Sequence, residues 1–199
     1  RIVQRYASAL ILSTILLVSA CGSDAPTQVK PLATIEMDQL LSTLQRIPDR
    51  PGPNPTATFE IPHQQLNQPA PIVVQEELIT AVAALPNVLL WESPNFLPGA
   101  ISWILGESLN TDEKGDLTAG SEFGHQHRNE VGSMHLNLPA AASQIVLEKG
   151  WAVLHPLSAV IHGSRAVDYL LVYAPRDNED LKIVWLIVQA SYAFARGEL

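Results

Sequence analysis

The chain has a single cysteine among its 199 residues, Cys21. An intrachain disulfide is therefore excluded, and so is a metal cage built from several thiolates. Positive charge is also scarce: 12 lysines and arginines against 20 acidic residues leave a formal net charge of −8. A surface built to follow a phosphate backbone would be basic, so nucleic acid is not an expected partner. No Gly-x-Ser-x-Gly elbow occurs, which removes the signature of a serine hydrolase. A phosphate loop, a dinucleotide fingerprint and internal repeats are absent as well. The apolar run Ala7–Val18 is too short to favour a bilayer-spanning helix.

What is present is enough apolar sequence, 47%, to build the core of one ordinary domain with tails. The start of the chain has its own logic. Arg1 and Arg5 precede the apolar run, and Val18-Ser19-Ala20 place small residues just before Cys21. This is a secretory signal with the lipobox pattern of bacterial lipoproteins. Residues 1–20 are expected to be removed and Cys21 lipidated. Gly22 rather than aspartate follows the cysteine, which points to the outer membrane. The expected location is the bacterial cell envelope, lipid-anchored and facing the periplasm.

Residues 21–71 read as a tether. Nine prolines fall between positions 24 and 71, and such a segment resists helix and sheet. Within it, Ile35, Leu40, Leu41, Leu44 and Ile47 share one helical face, which can dock on the domain or lie at the membrane. The folded domain is expected over 72–199. Val74–Leu85 reads as a helix stopped by Pro86-Asn87, and Val88–Trp91 and Ile101–Leu105 read as strands. Residues 109–120 are polar and read as an exposed loop. Ser121–His127 and Ser133–Leu138 form a hairpin around a glycine-containing turn. Pro139–Lys149 is a helix, Val167–Tyr173 an interior strand, and Asn178–Arg196 a buried helix capped by Asp177. The fold class is α+β: a small antiparallel-rich sheet with helices packed mainly on one face.

Four of the six histidines lie between Glu122 and Arg176. Side chains alternate across a strand, so His125 and His127 share a face, with Phe123 beside them. On the partner strand His135 takes the same non-core face, while Met134, Leu136 and Leu138 point to the core. His155 follows in a loop that can return over that face. Three roles are open to these histidines. They can be structural; they can form a three-His metal site from His125, His127 and His135, since neutral imidazole suits iron, zinc and copper; or they can act in general acid–base chemistry. Arg176, just after a strand and at the start of a helix, can hold a carboxylate or enolate, or simply pair with Asp177 or Asp180. Trp151 and Tyr173 are either packed or offered to a substrate. His63 and His162 receive no role.

Glu122-x-x-His125-x-His127, His135-Leu136, Lys149-Gly150-Trp151, His155-Pro156-Leu157 and Tyr173-Ala174-Pro175-Arg176, taken together, resemble the fungal luciferase domain family. The motifs run from Glu122 to Phe194, with weaker similarity reaching back to Leu78. Fungal luciferases oxidise a hydroxylated styryl-pyrone with molecular oxygen, release carbon dioxide and emit light, without flavin or nicotinamide. They too associate with membranes through an N-terminal segment. The resemblance implies that His125, His127, His135 or His155 deprotonates an enol, that Arg176 holds the anion, and that oxygen is the cosubstrate with no organic cofactor. Phe123, Trp151 and Tyr173 are then expected near the substrate. A bacterial lipoprotein has no evident source of the fungal pyrone, so another enolisable small molecule is expected. A non-catalytic envelope module that binds a ligand or partner is the reading from another class, and a metal-dependent enzyme is the third.

Overall fold

The computed structural model describes residues 32–92, 98–106, 121–128, 131–163 and 166–199. The signal segment 1–20, Cys21 and the loop 109–120 lie outside the described residues. Among the described residues, six strands form one antiparallel sheet in the order β1-β2-β3-β4-β6-β5. They are β1 (Val88–Glu92), β2 (Ile101–Leu105), β3 (Glu122–Gln126), β4 (Met134–Pro139), β5 (Ala152–Leu154) and β6 (Val167–Val172). The helices are α1 (Met37–Leu44), α2 (Ile72–Ala83), α3 (Ala140–Glu148), α4 (Ser158–His162) and α5 (Asn178–Arg196). The fold is α+β, as the sequence pattern implies.

The pleat divides the sheet into two chemically distinct faces. Met134, Leu136 and Leu138 of β4, with Leu170 and Val172 of β6, enter the main core. Helix α5 lies on that face and contributes Leu181, Val184, Ile187 and Val188. Its ends follow from local chemistry. The Asp177 carboxylate accepts hydrogen bonds from the Glu179 and Asp180 amides, both at 2.9 Å, and the helix stops at Gly197. Helices α1, α2 and α3 complete this layer. Helix α3 begins one residue later than its sequence signal, with Pro139 in extended conformation as the cap. Gly150, at φ 72°, turns the chain out of it.

The segment expected to be a tether is part of the packed domain from Leu32 onward. Leu40 and Leu44 of α1 are fully buried in the core. Polar ties reinforce them: Trp185 Nε1 donates to the Ala33 carbonyl at 3.0 Å, and Trp151 Nε1 donates to the Pro48 carbonyl at 2.8 Å. The proline-rich stretch has little helix or sheet of its own, so domain side chains satisfy its backbone instead. Gln65, a side chain of the segment itself, makes the converse tie. It accepts from the Ala174 amide at 2.9 Å and donates to the carbonyls of Asn67 and Gln68. Residues 57–65 thereby form a small turn structure, closed by an Ala57–Gln65 bridge, against the end of β6.

Two elements have no counterpart in the sequence reading. Strand β5 pairs with β6 at the sheet edge, and α4 follows it directly. They turn the stretch after Trp151 into a fixed ledge, with the Ser158 hydroxyl accepting from the Tyr169 amide at 2.9 Å.

Candidate functional site

The second face of the sheet carries the histidines. His125 and His135 are direct partners across β3 and β4, which brings their rings within 4.9 Å, edge to face. His127, just past the end of β3, lies 4.9 Å from His135. His155 enters from the β5–α4 ledge, again 4.9 Å from His135. His63 arrives from the segment expected to be a tether and stacks on His135 at 5.5 Å, nearly parallel. Five histidine rings therefore surround or include His135, and none is more than 6% exposed. Sequence reasoning assembled four of them and missed His63. Its one sequence signal is a histidine amid prolines, which has no periodicity to place it.

A β-bulge joins a carboxylate to the group. Trp103 pairs with Gly124 and the next residue, Ile104, with Glu122, so Phe123 is the extra residue. In a regular strand Glu122 and His125 would face opposite sides. The bulge turns both to the same side, and Glu122 Oε1 lies 2.9 Å from His125 Nδ1. The same bulge sends Phe123 to the other side. It was expected beside the histidines, but it packs in the core between Trp103 and Tyr192, at ring separations of 6.0 and 5.7 Å. Gly124 permits the tight pairing: a Cβ there would collide with the Leu136 side chain and sit 2.9 Å from the His135 carbonyl oxygen.

The hydrogen-bond network orders the protons. A carboxylate only accepts, so His125 carries its hydrogen on Nδ1 and presents a lone pair on Nε2. That lone pair lies 3.1 Å from His135 Nδ1, which donates to it. His135 Nε2 is then a bare acceptor, buried and without a hydrogen-bond partner. His155 has the opposite polarity. Its Nδ1 accepts from the Leu157 amide at 3.0 Å, so its hydrogen sits on Nε2. Both nitrogens of His63 lack a hydrogen-bond partner. Ser133 Oγ is 3.4 Å from His127 Nδ1.

Burial and crowding keep His63, His127, His135 and His155 neutral. Burial, reinforced by the neighbouring histidines, pushes His127 down to about 3 and His135 well below the usual histidine value. Burial, with His63 and His125 nearby, pushes His155 down to about 4, and burial lowers His63. The result is a dry group of imidazoles whose lone pairs are not consumed by protons. Such a group can ligate a cation, or take a proton from a bound acid whose anion stays beside it to balance the charge.

The remaining expected site residues have other engagements. Arg176 Nε meets Asp180 Oδ2 at 2.6 Å and its Nη2 meets Oδ1 at 3.1 Å, while Nη1 donates to the Pro51 carbonyl at 2.9 Å. Burial works to raise the Asp180 carboxyl, but the hydrogen bonds and charge of Arg176 outweigh it and hold it below the usual range. The aspartate pairing weighed for Arg176 is thus the one formed, and its guanidinium fork is committed. Tyr173 lies buried beneath the Arg50 guanidinium, 5.4 Å from the ring centre. Trp151 is a buried anchor whose indole donates to Pro48. A cavity of about 650 Å³ opens elsewhere, in the helical layer, between Leu32, Val73, Ala81, Leu85, Trp185 and Tyr192. None of the five clustered histidines lines it.

Comparison with known proteins finds similarity to fungal luciferases. Residues 120–191 match the family described as Luciferase domain. The chain is 29% identical over 170 residues to a luciferase of Armillaria gallica, covering 78% of this chain and 63% of the relative. A luciferase of Armillaria mellea is 27% identical over 169 residues with the same coverage. One from Neonothopanus nambi is 34% identical over 77 residues, 39% of this chain and 29% of the relative. The chain therefore spans about 63% of the length of the Armillaria relatives. No solved structure matches it significantly. His125, His127, His135 and His155 fall inside the matched segment and His63 outside it, so the histidine face combines the segment that resembles the Luciferase domain family with a residue that precedes it.

Proposed function

We propose that this protein is a luciferase-like enzyme in which the buried histidine cluster brings an enolisable small molecule to react with molecular oxygen. The observation that supports the reading most is the convergence of five buried histidines on one face of the sheet, with the nitrogens of His63 and His135 Nε2 left without hydrogen-bond partners. Buried polar atoms normally find partners, so orphans gathered at one place suit a ligand that supplies them. A lone pair among them accepts the enol hydroxyl proton, and the Nε2–H of His155 donates to the oxygen anion that forms. The enolate itself supplies the electrons that reduce oxygen, so this chemistry calls for no flavin or nicotinamide. Arg176 takes no direct part, because its fork is occupied by Asp180. Attachment to the envelope through a lipid on Cys21 is part of the same proposal.

The test is oxygen uptake by the purified protein against a panel of hydroxypyrones, enolised diketones and phenols. Substrate-dependent uptake that His135→Ala abolishes, with the fold intact by circular dichroism, supports the proposal. Binding of a panel member without uptake would replace it with a ligand-binding module.

A further inference from the structure

We propose that His125, His127 and His135 form a binding site for one divalent transition-metal ion, with Glu122 as the outer partner that orients His125. The inference goes beyond the enol-and-oxygen reading and does not depend on it. Among the described residues two trios of histidines are compact enough to hold an ion, His125 with His127 and His135, and His63 with His135 and His155; in each, ligand nitrogens lie within 4.8 Å of one another. Their surroundings tell them apart.

In the first trio, His125 Nε2 and His135 Nδ1 are 3.1 Å apart. Two imidazole nitrogens held about 2.0–2.1 Å from a tetrahedral ion are separated by about 3.3 Å, so a small shift lets them share one. The other nitrogen of His125 faces the buried carboxylate of Glu122 at 2.9 Å. A metal-bound histidine almost always donates its second N–H to such a partner, which fixes the ring and makes it a better ligand. His127 has the Ser133 hydroxyl near its Nδ1 in a comparable position. An ion at this point would also offset the negative charge of Glu122, buried to 3% exposure. The bulge at Phe123 is what delivers that carboxylate.

The second trio lacks these supports. The lone pair of His155 Nδ1 is taken by the Leu157 amide, which leaves an N–H, not a lone pair, on the side available to an ion. His63 has no hydrogen-bond partner to fix its tautomer. The ion therefore belongs between β3 and β4. Three imidazoles and no thiolate suit zinc, iron, copper or nickel, and three protein ligands leave a coordination position open.

The experiment uses the full chain without a histidine tag, stripped with chelator and titrated with Co(II) followed by visible absorption, then with Zn(II) by calorimetry. One ion per chain is expected, with the strong visible bands of a low-symmetry nitrogen site. His127→Ala should weaken binding by more than roughly 100-fold, and Glu122→Gln by roughly 10- to 100-fold, the range for an outer partner. His155→Ala should leave affinity nearly unchanged. Absence of stoichiometric binding by folded wild-type protein overturns the inference, as does binding that survives His127→Ala but is lost in His155→Ala. Should His127→Ala fail to fold, Glu122→Gln decides: wild-type affinity there removes the proposed role of the carboxylate and the site with it. All readouts are independent of turnover. A protein that binds the ion but consumes no oxygen would sink the enzymatic reading and leave this one standing.

Discussion

Lowering the pH should destabilise the metal-free protein steeply, and the histidine face sets the size of the effect. In the unfolded chain each histidine titrates near 6.5. In the fold, burial and neighbouring rings hold His127 at about 3 and His135 well below its usual value. Above pH 6.5 both states carry neutral imidazoles, so these residues add no pH dependence. As pH falls through 6.5 the unfolded chain takes up protons that the native cluster refuses. Stability is then lost by about 1.4 kcal/mol per pH unit for each such histidine, until the native value is reached. At pH 5 the loss is about 2 kcal/mol each, or about 4 kcal/mol for His127 and His135 together. His155 and His63 add to it in the same direction. Against a typical total of about 5–15 kcal/mol this is a large fraction. The assay is urea unfolding of chelator-treated protein at half-unit steps from pH 8 to 5, with His127→Gln compared at every step so that other titrating groups cancel. The variant should show a shallower decline between pH 6.5 and 5 by about 1.4 kcal/mol per unit. Parallel curves for the two proteins, or stability that does not fall between pH 7 and 5, would refute the reasoning.

Other consequences follow from the packing and from the N-terminal segment. Leu44→Ala should cost about 2–5 kcal/mol in urea unfolding, because Leu44 is fully buried in the core; a change below about 0.5 kcal/mol would return that segment to the status of a tether. Gly124→Ala should destabilise by about 1–3 kcal/mol and disturb the β2–β3 pairing, read by amide exchange on those strands. Cys21→Ser should abolish lipid attachment and shift the protein from the membrane fraction to the soluble fraction; unchanged fractionation would rule out the anchor.

The sequence made some of this legible and concealed the rest for identifiable reasons. Helix α5 was readable because Asp177 and Gly197 mark its ends and its apolar positions leave no exposed stripe. The β3–β4 hairpin was readable from alternation, and with it the meeting of His125, His127 and His135. Alternation also misled at Phe123: a bulge adds one residue to one strand, and no local signal distinguishes Glu122-Phe123-Gly124 from a regular run. Strand β5 has three residues and is defined by its pairing with β6, so it carries no pattern of its own. His63 was hidden because its segment is held by hydrogen bonds from distant partners, such as Gln65 to Ala174, and not by any periodicity. A proline-rich composition excludes regular structure; it does not exclude burial, as Leu40, Leu44 and His63 demonstrate.

The measurement that bears most directly on the account is oxygen uptake by His63→Ala compared with wild type, on whichever panel compound the wild-type protein oxidises, with both proteins matched for urea midpoint. The account predicts that uptake falls by at least roughly 10- to 100-fold, the scale of losing a positioned acid–base group, because His63 closes the cluster over His135. Undiminished uptake by a stable His63→Ala protein would contradict it, and would move the chemistry away from the face these five rings share.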